Sequence, residues 1–165
     1  MTAAAQVVSH LNRQIDSARR LLALVLQQGA AIRERDVEAV LARLVEIRNE
    51  MSQREALESE RRLLLEQAGD ALALPAEAIT LEALTSLMDG TEADQARQLS
   101  AELRGLLSEI AREHGTNRAL MRQELAFVDH LVRLVAGEPD AGYAAIADRR
   151  PPAPPTRLRA LDLQA

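Results

Sequence analysis

From Val8 onward, apolar residues return at alternating steps of three and four: Val8, Leu11, Ile15, Ala18, Leu22, Val25, Gly29 and Ile32. About four heptads of this spacing set one side chain after another on a single stripe of an α-helix, a period no strand produces. The stripe predicts a helix over about residues 2–33, roughly 48 Å long at about 1.5 Å per residue. Arg33-Glu34-Arg35-Asp36 interrupts it, and Asp36 is placed to cap a second helix. The second seam reads Val37, Val40, Leu44, Ile47 and Met51, meets Arg54, Glu58 and Arg61, and resumes at Leu65. It predicts a helix over 37–68, with Gly69 as its left-handed cap.

Between Asp70 and Gly90 the pattern breaks. Pro75 stops a helix, Thr80 caps a short one over 80–88, and Asp89-Gly90 marks a turn. Thr91 and Asp94 then form an N-terminal capping signature for a third long helix over 92–136. Its seam is Leu99, Leu103, Leu106, Ile110, Glu113, Asn117, Leu120, Glu124, Phe127, Leu131 and Leu134. Gly115 leaves open whether this is one helix or two. Beyond Gly137, the Pro-rich stretch Pro151-Pro152-Ala153-Pro154-Pro155 predicts a flexible, disordered tail over 138–165.

The reading is all-α: an elongated antiparallel helical bundle or coiled coil of three long helices plus a short helix, occupying residues 1–137. Composition agrees. Leucine and alanine contribute 27 and 30 of the 165 residues, against two aromatics, Phe127 and Tyr143. Sheets want β-branched and aromatic side chains at short turn spacing, which this chain lacks.

The same numbers exclude several functions. A net charge of −5 offers no basic field to a phosphate backbone, and two aromatics make no stacking platform, so nucleic acid is not an expected partner. With no cysteine there is no thiol chemistry and no thiolate metal site. The longest apolar run, Leu21 to Leu26, falls far short of the roughly 20 residues of a membrane span, so no membrane insertion and a cytoplasmic location are expected.

His10, His114 and His130 lack the Glu three residues earlier that di-iron bundles use, and they read as surface residues. No phosphate loop or dinucleotide fingerprint occurs among the glycines. No catalytic, metal or cofactor site is expected, and the chain reads as a non-enzyme.

Two features exceed a simple helical seam. Leu21, Leu22, Leu24, Val25 and Leu26 cover an arc of about 200°, and Leu131, Val132, Leu134 and Val135 about 160°, at about 100° per residue. Leu63-Leu64-Leu65 likewise point in three directions. Either the helices bury one another from several sides, or part of this surface is a groove for a partner helix. The second feature is polarity inside the third seam, at Glu113, Asn117 and Glu124. A buried Asn there would fix register; alternatively, this half of the helix faces water when the protein is alone.

The stretch Asn117-Arg118-Ala119-Leu120-Met121-Arg122-Gln123-Glu124-Leu125-Ala126-Phe127-Val128 resembles the FlgN family of flagellar export chaperones. The likeness extends back through Leu99 to Leu107, to the hairpin bend at Arg35-Asp36, and forward to Tyr143, the Pro run and Arg159-Ala160-Leu161-Asp162-Leu163. It implies a chaperone of hook-associated proteins that prevents their premature assembly and delivers them to the flagellar type III export gate. It assigns client binding to Asn117, Leu120, Met121, Glu124, Phe127, Val128, Leu131 and Leu134, and export-gate contact to Tyr143. The competing reading is a structural coiled-coil protein whose wide apolar faces serve self-association as a homo-oligomer.

Overall fold

The computed structural model describes residues 3–136, and every regular element among them is helical. The order is α1 (Ala3–Glu34), α2 (Val37–Leu72), a 3-10 turn (Ala76–Ala78), α3 (Leu81–Thr85) and α4 (Gly90–Ala136). The chain divides into two compact units, residues 1–123 and 124–165. The expected tail, with Tyr143 and the Pro run, lies outside the described residues.

α1 ends where Arg35 adopts a left-handed backbone (φ 57°), letting the amide of Asp36 bond the Ala31 carbonyl at 3.0 Å. Asp36 caps α2 as expected, its carboxylate accepting from the Ala39 amide at 2.9 Å. α2 continues past the expected end at residue 68. The left-handed cap is Ala73 (φ 54°, ψ 40°), whose amide bonds the Gly69 carbonyl. Gly69 has another reason to be glycine. The chain folds back over it, and a Cβ there would stand 2.6 Å from the Leu74 carbonyl oxygen.

Thr80 caps α3 by accepting from the Ala83 amide at 3.1 Å. α4 starts two residues earlier than expected because the cap is Asp89, accepting from the Glu92 amide at 2.8 Å, and not Thr91. It runs through Gly115 without a break, so the one-helix alternative holds.

Side-chain pairs fix how α1 and α2 lie. Arg13 reaches Glu60, Gln14 reaches Glu58, Ser17 reaches Glu50 and Gln27 reaches Arg43. Residue numbers fall on α2 as they rise on α1, so the two helices form an antiparallel hairpin. α4 returns in the sense of α1: Arg19 bonds Glu102 at 2.5 Å, and farther along Asn117 meets Val25.

The hairpin interior is polar. His10, Gln14, Ser17 and Glu50 are all buried, and Arg54 donates to Ser17 Oγ at 3.3 Å and Gln14 Oε1 at 3.4 Å. This explains why the second seam lapses at Arg54 and Glu58, which hydrogen-bond to side chains of α1, and at Arg61, which pairs with Glu58. Glu50 accepts from Ser17 Oγ at 2.6 Å and from Arg20 Nε and Nη2, each at 3.1 Å. Burial alone would raise its pKa, but these hydrogen bonds, with the charges of Arg20 and Arg54, hold it below the ordinary carboxylate value.

His10 corrects the surface reading. It is 5% exposed, while His114 and His130 are exposed as expected. Its Nε2 lies 3.3 Å from Gln14 Nε2. Its Nδ1 is 3.6 Å from Glu60, beyond hydrogen-bond reach, and Glu60 is already engaged by Arg13. Burial, with the nearby Arg13 charge, lowers its pKa and keeps the ring neutral.

The apolar core follows α1. Ala4, Val7, Ile15, Ala18, Leu21, Val25, Ala31 and Ile32 are buried, on more than one side of the helix. The wide arc at Leu21–Leu26 is therefore largely spent on packing, with only Leu26 well exposed. Leu63 likewise stays exposed where Leu64 and Leu65 are half-buried.

Candidate functional site

α4 carries the residues that the sequence singles out, and its seam changes character along its length. Leu99, Leu103, Leu106, Ile110, Glu113, Leu120 and Glu124 are half-buried, and Asn117 is fully buried. The same register continues through Phe127, Leu131 and Leu134, all exposed.

Asn117 is the anchor. Its side chain is 2% exposed, and its Nδ2 donates to the Val25 carbonyl at 2.7 Å, with Gln28 Oε1 at 3.5 Å. Gly29 makes this approach available: a Cβ there would lie 2.5 Å from Asn117 Oδ1. Of the two readings open for the polar seam positions, register fixing is the one Asn117 fulfils. The amide is inside the packing and not on a surface offered to a partner. Leu120 is half-buried beside it, and Met121 is exposed.

Residues 124–136 form the described part of the second unit. At about 100° per residue, Leu134, Phe127, Leu131, Val135, Val128, Val132 and Leu125 occupy one arc of about 180°. All seven are exposed, Val135 most of all at 89%. The opposite side carries Ala126, Asp129, His130 and Arg133, with Asp129 and Arg133 ion-paired at 3.0 Å. Half of this helical surface is thus apolar and solvent-facing. Contiguous apolar surface on this scale is the mark of an interaction site. Leu125, Val132 and Val135 belong to it although the seam did not select them. The signal for Val132 and Val135 was the 160° arc, which is wider than a single seam; Leu125 lay in neither.

A cleft in the first unit, about 430 Å³, is walled by leucines of α1, α2, α3 and α4, including Leu11, Leu65, Leu84 and Leu103. Its polar floor is His10, Gln14, Arg54 and Glu58, the groups of the hairpin interior. None of the sequence-selected residues lines it. Among the described residues, no cluster of three or more His, Asp or Glu side chains is arranged to hold a metal ion, and no helix is long and apolar enough to cross a membrane.

The family model described as FlgN protein matches residues 1–145, which includes all of α1 to α4. The chain belongs to the FlgN family. FlgN proteins are flagellar chaperones, which places this chain in flagellum biogenesis as a binding protein for flagellar components. The match stops before the Pro run and the Arg159–Leu163 motif. No curated protein and no solved structure matches the chain significantly.

Proposed function

We propose that the exposed apolar face of α4 holds the amphipathic terminal helix of a hook-associated flagellar protein in the cytoplasm, blocks its premature assembly, and carries it to the type III export gate. The supporting observation is the change along one register: the α4 seam is buried or half-buried as far as Glu124 and exposed at Phe127, Leu131 and Leu134. A subunit terminus that polymerises through coiled-coil contacts carries an apolar stripe of its own, which an aliphatic half-cylinder can cover. Met121, Phe127, Val128, Leu131 and Leu134 make that contact, with Leu120 and Glu124 at its margin. Asn117 serves it indirectly by setting the position of α4 against α1. Tyr143 remains the residue proposed for the export gate.

The test is calorimetry with a peptide spanning the C-terminal helix of a hook-associated protein. Leu131→Asp sets a charge in the middle of the face, where a buried contact residue is worth about 2 kcal/mol or more, roughly thirtyfold in affinity. Because Leu131 is already exposed, helicity and unfolding midpoint should hardly change. Unchanged affinity in this variant, or no micromolar binding of any hook-associated helix, sinks the proposal.

A further inference from the structure

α2 carries a second apolar stripe, unrelated to the α4 face. Val37, Leu41, Leu44, Val45 and Met51 are 69%, 56%, 43%, 59% and 49% exposed. Val37, Leu41, Leu44, Arg48 and Met51 recur at steps of four and three over two heptads, spanning about 21 Å of helix, with Val45 beside them. The side of α2 turned to α1 is different: it carries Val40, Arg43, Ile47, Glu50 and Arg54, about 120° around the helix at about 100° per residue. The stripe is therefore turned away from the polar hairpin interior, and its five large apolar side chains keep between 43% and 69% of their surface exposed. Apolar surface left exposed in a contiguous stripe is a mark of an interface.

We propose that this stripe is the interface between two copies of the chain, paired antiparallel about a two-fold axis between Leu41 and Leu44. The charges on the stripe choose both the partner and the direction. Arg48 takes a seam position, and Glu38 flanks the stripe near its start. Among the described residues neither forms an ion pair within the chain. In a parallel pair, each Arg48 would face its own copy. In the antiparallel register, Leu41 packs on Leu44 of the other copy, and Arg48 crosses over Val37 so that its guanidinium meets Glu38. Symmetry makes each contact twice. The aliphatic stem of Arg48 lies along the seam while its charge reaches the rim.

A helix of unrelated sequence would have to bring an acid and a base at this same separation, whereas the stripe already supplies both. The exposed side chains of two copies amount to on the order of 1,000 Å², about the lower bound for a specific interface. The inference uses residues of α2 alone, so it stands independently of the reading of α4.

Sedimentation velocity on the full chain over a micromolar concentration series decides the matter. The wild-type chain should show a monomer–dimer equilibrium. Arg48→Glu should weaken it at least about tenfold, because two like charges then meet across each end. The double variant Glu38→Arg/Arg48→Glu should restore it, since the pair is exchanged and not lost. Circular dichroism should be unchanged throughout, as both residues are exposed. A monomer at every concentration overturns the proposal. So does a dimer indifferent to Arg48→Glu, a double variant as weak as the single, or a dimer abolished by Leu131→Asp, which would place the contact on α4.

Discussion

Replacing Gly29 with alanine tests the anchor of α4 most sharply, because the same substitution elsewhere in the chain should have the opposite sign. In an open helical position, alanine stabilises by about 1 kcal/mol over glycine. Gly115 is such a position, with nothing within 4 Å of the added methyl, so Gly115→Ala should raise stability. At Gly29 the methyl would stand 2.5 Å from Asn117 Oδ1 and 3.3 Å from its Cγ. The Asn117 side chain must then swing away and give up its 2.7 Å bond to the Val25 carbonyl. A buried amide left without partners costs about 1–3 kcal/mol, which outweighs the helix gain. Gly29→Ala should therefore destabilise by about 1 kcal/mol, some 2 kcal/mol apart from Gly115→Ala, as read by urea unfolding. Adding Asn117→Ala removes the colliding group, so the double variant should be more stable than the sum of the two single effects. If Gly29→Ala stabilises as much as Gly115→Ala, the contact between α1 and α4 is not the one described.

The hairpin interior should respond to pH. His10 has a lowered pKa, so the unfolded chain binds the extra proton first: its contribution is whole above about 6.5 and is lost as pH falls through the folded value. Arg13 on its own helix and Arg61 on α2 oppose protonation, and Glu58 favours it. Urea stability should fall on acidification below 6.5, and His10→Gln should flatten that slope; an unchanged slope refutes the assignment. Glu50 has the same sign at lower pH, its contribution present above its ordinary value of 4.5 and lost as pH falls through the depressed one. Glu50→Ala leaves the Ser17 hydroxyl proton without its acceptor and should cost about 1–3 kcal/mol at neutral pH by denaturant titration, while Arg20, more than half exposed, returns to water.

The long helices were legible because their seams run for many turns, and periodicity averages out single exceptions. Asp36 and Thr80 were legible as caps because a side-chain oxygen before an apolar run satisfies an otherwise orphaned amide. Gly69 misled because glycine has two uses. Left-handed backbone is one, and close approach of another strand of chain is the other; only the fold reveals Leu74 above it. His10 misled for a related reason. The α2 groups around it, Glu58, Glu60 and Arg61, lie about 50 residues away, and a lone histidine carries no mark of what will face it. Asn117 was found as an oddity in a leucine seam, but its meaning depended on Gly29, almost ninety positions earlier. A seam says which side of a helix is apolar. It does not say whether the covering surface belongs to the same chain, and on α4 the exposure rises after Glu124 although the register of the seam does not change.

The division of labour between polar and apolar residues bears on function. The α1–α2 hairpin is held largely by directional contacts, Ser17 and Arg20 on Glu50 and Gln14 between Glu58 and Arg54, along with the small apolar core on α1. Hydrogen bonds of this kind fix one register, because a slip leaves buried groups unpaired. The long aliphatic side chains of α4 beyond Glu124 take no part in that register. On the reading proposed above, a client that covered them would break none of the hydrogen bonds that hold the hairpin, and a chaperone that must let go of its client needs that separation. Had Leu131 and Val128 also held the hairpin together, each release would draw on the stability of the carrier.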